Sequence, residues 1–225
     1  MSTIGYNTKD QDYFANLRMD VISLLPADPG QKILEVGAAA GNTLVYIKEK
    51  KMASEVMGVE LMAIANSNQR HPSIDKFQIA NIEQENIEAP ESYFDVIICA
   101  DVLEHLVDPW AAVEKISKHL KKDGILLVSM PNIREWKTLS KIVFKGDFGY
   151  QPQGGIMDRT HLRFFCKKNI HQLLSTDTLS PIYCSPNFKL KVVKEGKRTR
   201  LINKLTLGLF ENLLTVQYLF IAKKR

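Results

Sequence analysis

Residues 33–43 read Ile-Leu-Glu-Val-Gly-Ala-Ala-Ala-Gly-Asn-Thr, a buried-strand pattern that runs into a stretch of tiny side chains and then opens a helix. The spacing predicts a strand over residues 32–36 and a helix over 42–50, so residues 37–41 form the strand-to-helix turn. Without bulky side chains, such a turn is expected to leave main-chain N–H groups open to an anionic or zwitterionic ligand. A second apolar run, residues 56–59, ends in Glu60, whose carboxylate is placed to accept both hydroxyls of a ribose. Together the two features point to a nucleoside-containing ligand.

The spacing also selects the ligand. A dinucleotide fingerprint needs Gly-x-Gly-x-x-Gly, whereas only Ala38, Ala39 and Ala40 lie between Gly37 and Gly41. Residues 94–105, Phe-Asp-Val-Ile-Ile-Cys-Ala-Asp-Val-Leu-Glu-His, add a fourth strand that enters a polar turn. In these motifs the chain resembles the class I S-adenosylmethionine-dependent methyltransferases over residues 30–175. Glu35, Gly37 and Gly41 match the family's first motif, and Glu60 matches its acidic residue after the second strand. Ala39 stands where the family has its middle glycine, and adds a methyl group where the cofactor's methionine tail passes. The resemblance implies an α/β fold with a Rossmann-like, doubly wound, seven-stranded sheet. That sheet is mostly parallel, with one antiparallel strand near its edge. S-adenosylmethionine is the implied cofactor, with Glu35, Gly37, Ala39 and Gly41 around its methionine moiety and Glu60 on its ribose. Leu61 and Ile82 would sandwich the adenine, Asn81 or Glu83 would meet its edge, and Asp101 would border the site.

Length and composition fit one domain, residues 1–225, comprising an N-terminal helical segment (1–30), the sheet and a cap insertion (131–165). No apolar run approaches the roughly 20 residues that span a bilayer, so a cytoplasmic location is expected. Three cysteines, Cys99, Cys166 and Cys184, lack metal-like spacing and read as reduced thiols. The net charge of +5 is unevenly placed: residues 81–109 carry acidic side chains and no Lys or Arg, while residues 187–225 are rich in both. An acidic rim would attract the cationic cofactor, and a basic tail suits either an anionic partner or a solvated face.

Along the chain, helices are predicted over residues 10–25, 61–69, 109–120 and 167–175, with Asp108 as an N-cap. Further strands are predicted over 76–79 and 125–130, and a closing pair over 188–193 and 216–222. Residues 131–165, with Gly146, Gly149, Gly154 and Gly155, leave from the carboxyl end of the fifth strand and read as a lid or substrate cap. Residues 198–214 draw as a basic amphipathic helix that either covers the sheet or touches a membrane surface. Trp110 and Trp136 are expected in core or hinge packing.

Methyl transfer from a sulfonium needs an acceptor held in line, and a base where the acceptor is an alcohol. His105, Asp101 and His161 are the candidates for base or acceptor positioning, while Arg159 and Arg163 are candidates for gripping an anionic group. No metal is expected as a matter of course. The alternative is that Glu104, His105 and His161 hold a divalent ion, because Asp101-x-x-Glu104-His105 is similar to motifs in small-RNA 2′-O-methyltransferases and quinone-biosynthesis O-methyltransferases. The expected activity is O-methylation of a small or lipid-linked, sugar- or quinone-like acceptor. An RNA 2′-O-methyltransferase and a non-catalytic cofactor-binding partner are the competing readings, and the sequence leaves oligomeric state open.

Overall fold

The computed structural model describes residues 17–152, 154–188 and 193–225, with the side chains of 193–198 left aside. Its seven-stranded sheet has the order β3-β2-β1-β4-β5-β7-β6. The first five strands are β1 (Lys32–Val36), β2 (Glu55–Glu60), β3 (Lys76–Ile79), β4 (Phe94–Ala100) and β5 (Leu120–Pro131). All their mutual pairings are parallel, whereas β7 (Gln217–Lys224) runs antiparallel to both β5 and β6 (Leu179–Asn187).

Helices cover both faces, which is why the central strands are apolar at successive positions. On one face, α3 (Pro109–Lys118) and α5 (Lys167–Leu174) pack Val113, Ile116, Ile170 and Leu173 against Leu34, Ile97, Val128 and Phe220. On the other, α1 (Met19–Ile22) and α2 (Asn42–Glu49) pack Val21, Leu44 and Ile47 against Ile33, Val56, Ile98 and Leu127. Asp108 caps α3, accepting from the Ala111 N–H at 3.0 Å. Cys99 is buried in β4.

Several expectations change. Residues 61–69 do not form a helix; a loop leads to a single 3-10 turn, Asn68–Arg70. The Gln69 side chain takes up the Ile64 N–H and the Ala39 and Met62 carbonyls, replacing the helical ladder and fastening this loop to the 37–41 turn. The sixth strand lies at Leu179–Asn187, not at 188–193; Val193 opens helix α6 (Val193–Leu205), and 189–192 fall outside the described residues. Pro181 and Pro186 are tolerated because β6 is the sheet edge, and the register shifts between Pro181 and Tyr183. The helix drawn over 198–214 is two helices, α6 and α7 (Glu211–Leu214), separated at Leu207 and Gly208, both of positive φ. Of the helix expected over 10–25, Met19–Ile22 is helical, and residues 10–16, with Phe14, lie outside the described residues. Trp110 and Trp136 are half exposed, not core residues.

The excursion after β5 holds helix α4 (Trp136–Lys145). Its two ends meet at a bridge between Asn132 and Phe165, where the Ile133 N–H donates to the Phe165 carbonyl at 2.9 Å. No described helix is long and apolar enough to cross a membrane.

Candidate active site

A cavity of about 240 Å³ opens at the carboxyl ends of β1, β2 and β4 and is roofed by residues 154–161 of the excursion. Parallel strands deliver their last side chains to this edge, which is why Glu35, Glu60 and Asp101 converge there from distant parts of the sequence. Gly37, Ala39, Leu61, Asn81, Ile82, Glu104, His105 and His161 also line it. Gly41, Glu83, Arg159 and Arg163 do not. Gly41 instead allows the left-handed turn into α2 at φ 82°, where a Cβ would press on Ile74 and the Asn68 carbonyl. Glu83 accepts from the Val107 and Asp108 N–H groups. Arg159 is exposed, and Arg163 donates to the Val107 carbonyl.

Four of the five N–H groups of the 37–41 turn are taken up within the protein, contrary to the expectation that they stand open to a ligand. Gly37 and Ala38 donate to the Val59 carbonyl at 2.8 and 3.1 Å, Ala39 donates to Glu60 Oε2 at 2.8 Å, and Gly41 donates to the Ala38 carbonyl. The turn is closed onto β2. Ala39 is held at φ 48°, in the left-handed region. Glu60 takes a second N–H from Leu61 on Oε1 at 2.7 Å, so each carboxylate oxygen is anchored and keeps a further lone pair. Burial raises the Glu60 pKa, against the backbone N–H groups of Ala39, Leu61 and Met62.

The cation of the site is Arg18, which sequence reasoning missed. Its guanidinium bonds Asp101 Oδ2 at 2.5 Å, Ser129 Oγ at 2.9 Å and Asp20 at 3.0 Å. Burial opposes its charge, but Asp101 and Asp20 keep it protonated. The only sequence signal was one Arg ahead of an apolar helical face. Asp101, at φ 58°, also accepts from Ser129 and from the Gln217 amide. Its carboxylate thus accepts from three side chains, Arg18, Ser129 and Gln217. Glu35 is buried, and no described donor reaches its Oε2. Burial pushes its pKa up to about 8, opposed by Arg18 and reinforced by Glu60.

Beside this wall the one-turn helix Leu103–His105 faces the returning loop. The Leu162 and Arg163 N–H groups both donate to the Glu104 carbonyl, at 2.9 and 3.0 Å. His105 Nδ1 donates to the Thr160 carbonyl at 3.0 Å and His161 Nδ1 to the Ile156 carbonyl at 2.9 Å, which fixes Nε2 as the basic nitrogen of each ring. The two rings lie 4.6 Å apart, and Glu104 Oε1 is 3.9 Å from His161 Nε2. Both Glu104 carboxylate oxygens are buried, with no hydrogen-bond donor among the described residues. Burial first, then Asp101, raises the Glu104 pKa well above the usual range. Ligand atoms from Glu104, His105 and His161 all lie within 4.8 Å of one another.

Residues 9–177 match the family model of a methyltransferase domain. The chain belongs to that methyltransferase family. S-adenosylmethionine is its methyl donor, as the motifs implied, and the buried, unpartnered Glu35 oxygen is a fitting counter-charge for the cofactor's ammonium. The methyltransferase is 28% identical over 121 residues to a ubiquinone biosynthesis O-methyltransferase of Xanthomonas campestris, covering 52% of this chain and 49% of that protein. It is 29% identical over 161 residues to one of Idiomarina loihiensis, covering 68% and 63%. It therefore spans about half to two thirds of the length of these relatives. Among solved structures, an S-adenosylmethionine-dependent methyltransferase from Mesorhizobium loti shares the fold at TM-score 0.61 and 14% identity, covering 91% of this chain and 95% of that one.

Proposed function

We propose that this methyltransferase transfers the methyl group of S-adenosylmethionine to a hydroxyl oxygen of a small aromatic, quinone-like acceptor. The observation that carries the reading is the buried Glu104 carboxylate beside His105 and His161 at the cofactor cavity. The names of the relatives support an oxygen acceptor. Of the residues lining the cavity, Glu35 would hold the cofactor's ammonium, Arg18 its carboxylate and Glu60 both ribose hydroxyls, and Leu61 and Ile82 would cover the adenine faces. The 154–161 roof covers part of the cavity. Bound there, the sulfonium would supply the methyl group and leave as a neutral thioether, while His105 Nε2 would take the acceptor's hydroxyl proton. His161 and Glu104 hold the acceptor beside that ring.

A second reading is favoured by the same cluster. One carboxylate and two imidazoles suit a divalent cation, and a carboxylate without donors is the group such an ion would partner. An ion held by Glu104, His105 and His161 would lower the pKa of the acceptor hydroxyl.

The test is methyl transfer to a dihydroxylated phenol, measured with and without chelator and re-added manganese or magnesium. Turnover that falls about 10²-fold or more in His105→Ala, with S-adenosylmethionine affinity retained, is expected. Loss of turnover with chelator and recovery with metal would select the metal-assisted form. Failure to bind S-adenosylmethionine by calorimetry would sink both forms. Glu60→Ala is expected to weaken that binding by about 1–3 kcal/mol through two lost charge-assisted hydrogen bonds.

A further inference from the structure

A second cavity, of about 360 Å³, lies within the excursion and adjoins the first. Helix α4 forms one side of it. The other side is the returning chain, where the Gln151 N–H donates to the Met157 carbonyl at 2.8 Å and the Arg159 N–H to the Gln151 carbonyl at 2.9 Å, bridging Gln151 to Asp158. Phe148 adds an aromatic wall, its ring centroid 5.9 Å from that of Tyr150 and 6.4 Å from that of Phe164. Ile156 and Val216 line both cavities, and the Ile156 carbonyl accepts from His161 Nδ1 at 2.9 Å. A molecule in the second cavity therefore shares a wall with the histidine pocket.

The lining is not that of a packing gap. Beside Phe148, Ile156, Met157 and Val216 stand Lys137 and Lys141, four residues apart on the Thr138 side of α4. Both lysines are exposed, and no ion pair engages either among the described residues. The acids near them have other partners. Glu135 Oε2 accepts from the N–H and the hydroxyl of Thr138 at 2.9 and 3.1 Å, and Asp147 Oδ1 accepts from the Gly149 N–H at 2.7 Å. With Lys137 and Lys141 against Glu135 alone, the charged lining of the cavity is positive in balance.

We propose that this second cavity receives an anionic group carried by the acceptor away from its methylated hydroxyl, with Lys137 and Lys141 as the counter-charges. The inference rests on the oxygen acceptor proposed above and narrows it. An acceptor whose hydroxyl lies at His105 Nε2 reaches the lysines past Ile156 and Val216, so the arm that joins its two ends is apolar. An anion at the far end adds binding remote from the reacting atoms and turns the hydroxyl toward the histidines. A cationic arm would be repelled by the lysines, and a neutral one would leave them without a partner.

The experiment is calorimetric titration of the full chain, saturated with S-adenosylhomocysteine at neutral pH, with dihydrocaffeate, a catechol bearing a short carboxylate arm, and with its methyl ester. Turnover of both compounds with S-adenosylmethionine follows. The acid is expected to bind at least about tenfold more tightly than the ester, and Lys137→Gln/Lys141→Gln to bring the two within about twofold of each other. Lys145→Gln removes a charge from the same helix outside the cavity lining, and is expected to keep the preference. Thermal unfolding and S-adenosylhomocysteine titration of each variant report on the fold. Equal binding of acid and ester, binding of neither, or a preference that survives the double variant would overturn the inference. So would displacement of the acid by an equal concentration of inorganic phosphate, which would make the cavity a site for a free anion. Lysine-dependent binding of the acid without methylation of either compound would keep the anion site and sink the oxygen acceptor. Methylation of both compounds with equal efficiency and equal affinity would do the reverse.

Discussion

Ala39 carries the sharpest local conflict between residue and backbone. Its φ of 48° is a region where a Cβ costs about 1–2 kcal/mol, yet its N–H and carbonyl are fixed by Glu60 and Gln69. The loop that these bonds fasten holds the residue in place. Ala39→Gly is therefore expected to relieve the backbone and stabilise the protein by about 0.5–1 kcal/mol, a rise of roughly 1–4 °C in Tm. An unchanged or lowered Tm would show that the alanine methyl's packing outweighs its strain. At this scale Glu35, Gly37 and Glu60 were legible, because a motif's spacing fixes which residues reach the end of a strand. Arg18 was not, since its role depends on Asp101 and Ser129, far along the chain. The closure of the 37–41 turn onto Val59 was equally hidden, because a donor's partner across a parallel pair is set by register.

Among elements, the buried strands were readable from apolar runs and α3 from Asp108 and Pro109. β6 was not, because Pro181 and Pro186 argue against a strand until the strand is known to be an edge. The 61–69 segment failed for another reason: Gln69 satisfies backbone groups with its side chain, which periodicity does not see. Asn132 is the counterpart in the excursion. It is fully buried and holds the Asn212 and Thr215 carbonyls while accepting from the Arg134 N–H at 3.2 Å. Asn132→Ala is expected to cost about 2–3 kcal/mol in chemical unfolding, because buried carbonyls lose their donors. Hydrogen exchange should rise in residues 211–216 and at the base of the excursion. A cost below about 0.5 kcal/mol would mean that water replaces the amide without loss.

For the whole molecule, the acidic groups at the cavity make stability depend on pH. Glu35 has a folded-state pKa of about 8, above its value in an unfolded chain. Between those values the folded state holds a proton that the unfolded chain releases, so stability is full below the lower value and declines as pH rises toward 8. Glu104 and Glu60 shift in the same direction. The protein without cofactor should be more stable at pH 5 than at pH 8 as far as these groups decide it, and Glu35→Gln should recover on the order of 3 kcal/mol at pH 9. Cofactor affinity should rise with pH over the same window, by up to tenfold per unit, because the ammonium selects the ionised Glu35. Paired thermal scans and titrations across pH check both trends, and a flat affinity would remove Glu35 from the ammonium.

The strand order has a consequence for how the molecule is made. β7 is the latest strand in the sequence, yet it lies inside the sheet between β5 and β6, and it supplies Gln217 to Asp101. A ribosome releases β7 after every other strand, so until then β5 and β6 present unpaired edges and the Arg18–Asp101–Gln217 wall is incomplete. The sheet cannot close until β7 has been made, so its central pairing is the last to form during synthesis.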